Sequence, residues 1–416
     1  MKLIHTAWRN MWRNCGRTIL SASAIFCSTL ALCFLLALET GFIDDMKTNI
    51  TNHVTGDVRI MNKKYVENER IMPLQFFVND AQKTLDVLNK TGGIRNATPR
   101  TETAVSIYRN GEQIPCKALG IDFGTSPIMS GPNSHLVGGT IPSPLSAGVL
   151  VTPSLAEELS LKPGSRFTAL TRTAVSGSNG KTFTVTGILS LSDSDFSGRE
   201  FFADWRTMGE YLRMGDNAMQ IQVFLDKGGN LDAGAKLARS SLEKSIGAQK
   251  TDELQIVPWY GASGFYGFVK IAGIVFLIYG VIFFALASTV IFNTMMMSVL
   301  ERKKEIGTLG ALGMGKRGII SLFLTEASLI ALVGTLAGLL AGGILVALWG
   351  HFGFDVESAY GTDIKGLGYS KLIYPALTVS QYLAILITGI CMSIAACYLP
   401  ARMASKIEPA EALADR

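Results

Sequence analysis

An α-helical membrane protein, with four transmembrane helices and a large extracytoplasmic α+β domain of two subdomains inserted between helices one and two, is the fold class this chain predicts. Three observations predict it. Hydrophobic residues fill 48% of the 416 positions and charged residues only 17%, with a mean hydropathy of +0.30, whereas soluble domains carry roughly 25% charged residues. Four long uncharged runs each reach the ~20 apolar residues that cross a ~30 Å hydrocarbon core. Residues 41–265, of ordinary globular composition, separate the first run from the other three.

The first run, TILSASAIFCSTLALCFLLAL, lies between Arg17 and Glu39. Lys2, Arg9, Arg13 and Arg17 in front of it suit a secretory leader, but a leader's apolar region runs about 7–15 residues before a small-x-small site. This run is longer and closes on Leu38-Glu39-Thr40, and Leu32 stands where a lipobox at Cys33 wants a small residue. It is read as an uncleaved helix over 17–40. Ahead of it, residues 1–16 place Leu3, Ile4, Ala7, Trp8, Met11 and Trp12 on one helical face, with Arg9 and Arg13 on the other, which predicts a cytoplasmic interfacial helix.

The other uncharged stretches are Ile271–Leu300, Ala327–Phe354 and Leu372–Ala401. They set transmembrane helices at 266–300, 319–350 and 372–401, joined by a cytoplasmic link at 301–318 and a short extracytoplasmic loop at 351–371. A cytoplasmic tail follows at 402–416. Lys and Arg cluster at the N-terminus, in the 301–318 link (Arg302, Lys303, Lys304, Lys316, Arg317) and in the tail (Arg402, Lys406, Arg416), while the Trp349–Ser370 stretch holds one Lys. The positive-inside bias therefore sets both termini in the cytoplasm and the large domain outside in a multi-pass arrangement.

Within the large domain, VTGDVRIMN alternates like a half-buried strand, and NDAQKTLDVLNKTGGI has helical spacing closed by Gly-Gly. TAVSIYRNGEQIPCKALGI reads as a hairpin around Asn110-Gly111. SLAEELSLKPGSRFTAL reads as a short helix, a Pro-Gly turn and a strand; KTFTVTGILSL and AMQIQVFLD read as strands, and NLDAGAKLARSSLEKSI as a helix. The mixture predicts two subdomains, with about 116–204 inserted into the other.

Chemical motifs are few. Gly310 to Arg317 reads G-A-L-G-M-G-K-R and fits a phosphate-cradling loop until Arg317 replaces the Mg²⁺-holding hydroxyl. A strand should precede such a loop, and the short link at 301–318 has no room for a nucleotide-binding domain. SGSNGKT at Ser176–Thr182 lacks the first Gly and reads as a hairpin tip. DSDFSGREFFAD from Asp193 matches several EF-hand positions, but Glu200 sits where an apolar residue belongs, so it reads as a solvated turn. The six cysteines show no C-x-x-C spacing and the four histidines are scattered, so neither a metal site nor a disulfide framework is predicted. No Ser/His/Asp set or carboxylate pair assembles; the chain is predicted not to be an enzyme and to carry no cofactor. Glu326 sits two turns into helix three, placed to snorkel or to pair with Lys316 or Arg317. Gly334, Gly338 and Gly342 form a small-residue ridge for close helix contact.

The order of one span, a large external domain and three spans resembles the FtsX/MacB-like permease superfamily, the transmembrane subunits of mechanotransmitting ABC transporters. ERKKEIGTLGALGMGKRGIISLFLTEASLIALVGTLAGLLAGG resembles the family's E-x-x-x-E-I-G-x-x-x-A-L-G segment and the glycine-ridged helix after it. YLPARMASKIEPAEAL resembles its P-A-x-x-A-x-x-x-x-P-x-E-A-L tail. The resemblance implies that Glu301–Gly313 is a coupling helix docking on a separate ATPase dimer that binds ATP and Mg²⁺. Glu301, Arg302, Lys304, Glu305, Ile306, Leu309, Leu312 and Gly313 would carry the coupling, Glu305, Ile306, Leu309 and Leu312 being the expected contacts, with the tail against the same partner. It also implies a second permease subunit, identical or paralogous.

HVTGDVRIMNKKY resembles the lipoprotein-releasing (LolC/LolE-like) branch. That branch implies extraction of lipoproteins from the outer leaflet of the inner membrane and transfer to a periplasmic chaperone. Cargo access would run past Phe42, Ile43, Phe265, Phe268 and Ile271, and the Thr173, Ala174, Val175 and Lys181 hairpin would meet the chaperone. MacB-like efflux of drugs, peptides or toxins, and FtsX-like control of a cell-wall hydrolase, are the alternatives.

Overall fold

The structure, a computed structural model, describes residues 15–71, 73–109, 111–130, 134–191, 198–226, 228–262, 265–355 and 372–408. The interfacial helix expected over 1–14, the EF-hand-like residues 192–197, residues 356–371 of the short loop and tail residues 409–416 lie outside them, as do the side chains of Phe265 and Phe268. The chain forms two compact units, one of Met1–Ile43, Val269–Asp355 and Leu372–Arg416, the other of Asp44–Phe268 and Val356–Lys371.

Helix α1 spans Cys15–Ile50 and so continues ten residues beyond the predicted end. Glu39 ends the apolar run, and it, Asp44, Asp45 and Lys47 leave the helix unbroken, because charge bars a residue from hydrocarbon and not from an α conformation. Asn49 Nδ2 donates to Asp45 Oδ2 one turn earlier at 3.2 Å.

The inserted domain is built on ten strands. These are β1 (Val58–Asn62), β2 (Ile94–Arg109), β3 (Glu112–Ile121), β4 (Ser134–Gly139), β5 (Gly148–Val151), β6 (Arg166–Arg172), β7 (Ser178–Leu191), β8 (Glu200–Asp204), β9 (Gln220–Leu225) and β10 (Leu254–Pro258). Their order is β10-β1-β9-β2-β3-β8-β5-β7-β4, with β6 against β2 and β7.

The long β2 joins two halves. Its first part pairs with β9 from Ile94↔Leu225 to Arg100↔Gln220, and its second with β3 from Arg100↔Ile121 to Arg109↔Glu112, the hairpin pairing expected on either side of Asn-Gly. Strands β3 to β8 fall in sequence between β2 and β9, which makes them an insertion into the β10-β1-β9-β2 sheet. Helices α2 (Ala81–Asn89) and α4 (Leu231–Ile246) cover that sheet. Val58, Ile60, Leu88, Val223 and Leu242 fill the space between. The inserted half has its own aromatic core, where the Phe183 ring lies 5.2 Å from Phe201 and 5.4 Å from Tyr211. Tyr211 belongs to α3 (Trp205–Leu212), whose N-cap Asp204 accepts from Arg206 and Thr207 N–H.

Further along the chain come the helices α5 (Phe265–Glu301), α6 (Lys303–Ala311), α7 (Lys316–Phe352) and α8 (Val379–Ala404). Helices α1, α5, α7 and α8 are long and apolar enough to cross a membrane, so four spans and an inserted mixed domain are the architecture. Helix α8 starts seven residues after the predicted 372. Leu372-Ile373 pair as a short strand with Phe354-Asp355, Pro375 follows, and Thr378 opens the helix with a capping box to Gln381.

The glycine ridge of α7 packs on α1. A β carbon at Gly338 would lie 2.7 Å from Thr29 Cβ and 2.9 Å from the Phe26 carbonyl oxygen, and one at Gly342 would lie 2.7 Å from Cys33 Cβ. Only glycine allows this approach, so the ridge fixes which face of α7 meets α1.

Candidate functional site

Helix α6 is a nine-residue piece set between two membrane helices. Gly313 closes it with φ +92°, a conformation that strains any residue with a β carbon, and the Met314 N–H returns to Leu309 O at 3.0 Å. The chain then turns into α7 at Lys316.

Arg302, between α5 and α6, is the centre of this region. It is buried, its Nε donates to Glu305 Oε2 at 2.9 Å and its Nη1 to Glu326 Oε2 at 3.2 Å. Its guanidinium lies 5.8 Å from the Phe323 ring centroid. One side chain thus ties α6 to α7, in the forked geometry for which arginine is suited. This corrects the expectation for Glu326: its ion pair is with Arg302, while Lys316 and Arg317 are exposed. The reason is the face on which it sits. Ile319, Phe323, Glu326 and Ile330 form the inward side of α7, whereas the first-turn basic residues point away from it.

The eight residues expected to carry coupling divide by direction. Glu301, Lys304, Glu305, Leu312 and Gly313 are exposed, and Leu309 is half-buried. Ile306 is buried among Val299, Phe323, Ala401 and Ala404, so as a partner contact it is corrected to a core residue that anchors α6. Ile407, at the start of the tail, packs on the same cluster. Beside Glu326, a recess of about 20 Å³ is lined by Ser21, Thr294 and Ser298, with Ser21 Oγ 2.6 Å from Thr294 Oγ1; it has room for about one water.

At the other end of the same unit, α1, α5 and α8 enclose an apolar cavity of about 250 Å³. Leu32, Leu36, Phe276, Phe284 and Ile385 line it together with one acid, Glu39. Of the residues expected at cargo access, Phe42, Ile43 and Ile271 do not line it, because they stand at the helix ends and the cavity lies further along α5. Ile271 is exposed and Phe42 and Ile43 are half-buried. Nothing in the apolar pattern singled out Glu39, although a charge closing an uncharged run was a visible signal. Above the cavity, Gln381 Nε2 donates to Thr40 Oγ1 at 2.8 Å, fixing α8 to α1.

The β6–β7 hairpin is present, but its tip folds back. The Ala174 N–H donates to Leu212 O at 2.9 Å and Asn179 Nδ2 to Tyr211 O at 2.8 Å. Thr173 is buried, Lys181 faces Glu210 at 3.8 Å, and Val175 is exposed. Of the four residues assigned to a chaperone contact, Val175 is the one that reaches solvent as a large apolar group.

Residues 277–409, which hold α6, the Arg302–Glu326 pair and the glycine ridge, match the FtsX-like permease C-terminal family. Over 121 residues the chain is 36% identical to the macrolide export ATP-binding/permease protein MacB of Campylobacter fetus subsp. fetus, a match covering 29% of this chain and 16% of that protein. Over 123 residues it is 27% identical to the lipoprotein-releasing system transmembrane protein LolC of Xylella fastidiosa, covering 29% of this chain and 30% of the relative. The chain thus aligns with well under half the length of these curated relatives. The periplasmic region of MacB from Actinobacillus actinomycetemcomitans aligns over 52% of this chain and 94% of its own at 17% identity, with a TM-score of 0.38. Residues 277–409 thus form an FtsX-like permease C-terminal domain, and MacB- and LolC-type proteins are among the relatives to which that part of the chain is similar.

Proposed function

We infer that the chain is the permease subunit of a mechanotransmitting ABC transporter, driven by a separate ATPase dimer and completed by a second permease subunit, identical or paralogous. The observation that carries this reading is the Arg302 joint. An ATPase pressing on the exposed side of α6, at Glu305 and Leu312, would load Arg302 directly, and through it Glu326 and α7. The glycine ridge would pass the displacement from α7 to α1. Packed helices and a buried ion pair transmit force because they have few alternative arrangements. ATP and Mg²⁺ stay on the partner, both termini on its side of the membrane, and the large domain in the periplasm.

The cargo we assign is lipoprotein, extracted from the outer leaflet and handed to a periplasmic chaperone; the apolar cavity between α1, α5 and α8 supports a lipid-borne ligand. MacB-like efflux is the second reading, favoured by the 36% identity to MacB. The test is cargo-stimulated ATP hydrolysis by the reconstituted complex. Glu305→Lys and Leu312→Asp should each abolish stimulation while leaving the ATPase's basal turnover intact; undiminished stimulation in both would remove the docking role. Acylated protein recovered with the purified complex supports the first cargo, and drug-stimulated turnover without it supports the second.

A further inference from the structure

The carboxylate of Glu39 stands in the apolar cavity with 9% of the residue's surface exposed. Among the described residues no hydrogen-bond donor or cation is paired with it. Gly273 lies opposite, where even a β carbon would stand in van der Waals contact with Glu39 Oε1, at 3.6 Å. A buried carboxylate without a partner is costly, and a cation brought by a ligand removes that cost. The rest of the lining is Leu, Phe, Ile, Val, Ala, Gly and a single Thr388, so the ligand must be apolar except at one point. Leu277 and Val281 line the cavity and are 68% and 56% exposed, which puts the mouth on the side of α5 that would face hydrocarbon. A chain already in the bilayer could slide in without crossing a polar layer. The volume equals about eight waters at ~30 Å³ each, enough for part of an alkyl chain and its head atom and too small for a folded domain.

We propose that this cavity binds an acylated amphiphile carrying a protonated amine beside its chains, the chains lying along Leu32, Leu36 and Phe284 and the amine donating to Glu39. The assignment rests on the reading of the chain as a lipid-embedded permease for acylated cargo, and it adds the head-group chemistry that the site selects.

The test is photo-crosslinking of the full chain in neutral-lipid nanodiscs, without ATP, using a diazirine-bearing twelve-carbon amine and the matched alcohol. The wild type should be labelled on cavity peptides of α1, α5 and α8 about tenfold more by the amine than by the alcohol, as expected for one charge-assisted hydrogen bond. Glu39→Gln should lose that excess and keep the alcohol signal, and Glu39→Asp should retain part of it. Ala384→Phe, at an exposed lining position, should lower both signals by filling the mouth. Equal labelling by both probes, an amine excess that survives Glu39→Gln, or no labelling of the cavity by either probe would overturn the assignment. Failed labelling with Leu312→Asp still blocking coupling would sink this inference alone. Intact labelling with coupling indifferent to Leu312→Asp would sink the transport reading alone.

Discussion

Replacing Arg302 with Met tests the joint between α6 and α7 in energetic terms. The side chains of Arg302 and Glu326 are 9% and 7% exposed and their closest atoms are 3.2 Å apart. At that separation and an effective dielectric of 20 the gross attraction is ~5 kcal/mol. Removing one partner of a buried pair costs about 3–5 kcal/mol, because the other charge stays in place. Methionine keeps apolar contact with Phe323, so packing loss adds little. The companion contact behaves differently: Glu305 is 45% exposed, and a pair of that kind contributes ~0–1 kcal/mol. Arg302→Met should therefore destabilise the membrane unit by about 3–5 kcal/mol and Glu305→Gln by under ~1 kcal/mol. Equilibrium denaturation of the purified full chain in mixed micelles measures both. The double variant Arg302→Met, Glu326→Leu should recover most of the loss, as an apolar pair fills a buried ion-pair site without an uncompensated charge. A loss below ~1 kcal/mol for Arg302→Met, or a double variant no better than the single, would refute the reasoning.

Two further outcomes follow from packing and charge. Gly338→Ala drives a β carbon into Thr29 and the Phe26 carbonyl and should cost about 1–3 kcal/mol, whereas Gly16→Ala, with nothing within 4 Å, should be neutral or stabilising in the same assay; equal stability of the two variants would remove the ridge argument. In the large domain, burial pushes the Glu102 carboxyl up, but Arg100 and Lys117, its Nζ at 3.1 Å, more than offset this and hold it below its ordinary value of 4.5. A carboxylate lowered in the folded state stabilises fully above its unfolded pKa, and that contribution is lost as pH falls through the folded one. Glu102→Gln should thus flatten the acid arm of the domain's stability below about pH 4.5 relative to wild type, measured by fluorescence melts of the full chain; parallel acid arms would contradict it.

Much of the architecture was legible because hydropathy and turn chemistry act locally. The uncharged runs located all four spans, and Asn110-Gly111 located the β2–β3 hairpin with its register. Boundaries were less legible where two rules compete. Glu39, Asp44 and Asp45 bring charge after the apolar run and leave the helix intact. Leu372 and Ile373 extend an apolar run that Pro375 and the Thr378 cap exclude from the helix. The site was half legible. The segment 301–313 stood out by resemblance, but its inward and outward faces depend on tertiary contacts, so Ile306 was read as a contact and proved to be core. The partner of Glu326 lies 24 positions away at Arg302, and no local spacing rule selects it over Lys316 or Arg317. Glu39 gains its character only from α5 and α8, which the sequence does not align with it.

The central claim is that energy reaches this chain from a separate ATP-binding protein at the exposed face of α6. A photo-crosslinking residue at Leu312, 80% exposed, tests it in native membranes, with the same residue at Leu340, 70% exposed on a spanning helix, as control. The account predicts that position 312 captures an ATP-binding chain and position 340 does not. Capture of no ATP-binding protein at 312, or equal capture at both positions, would contradict it.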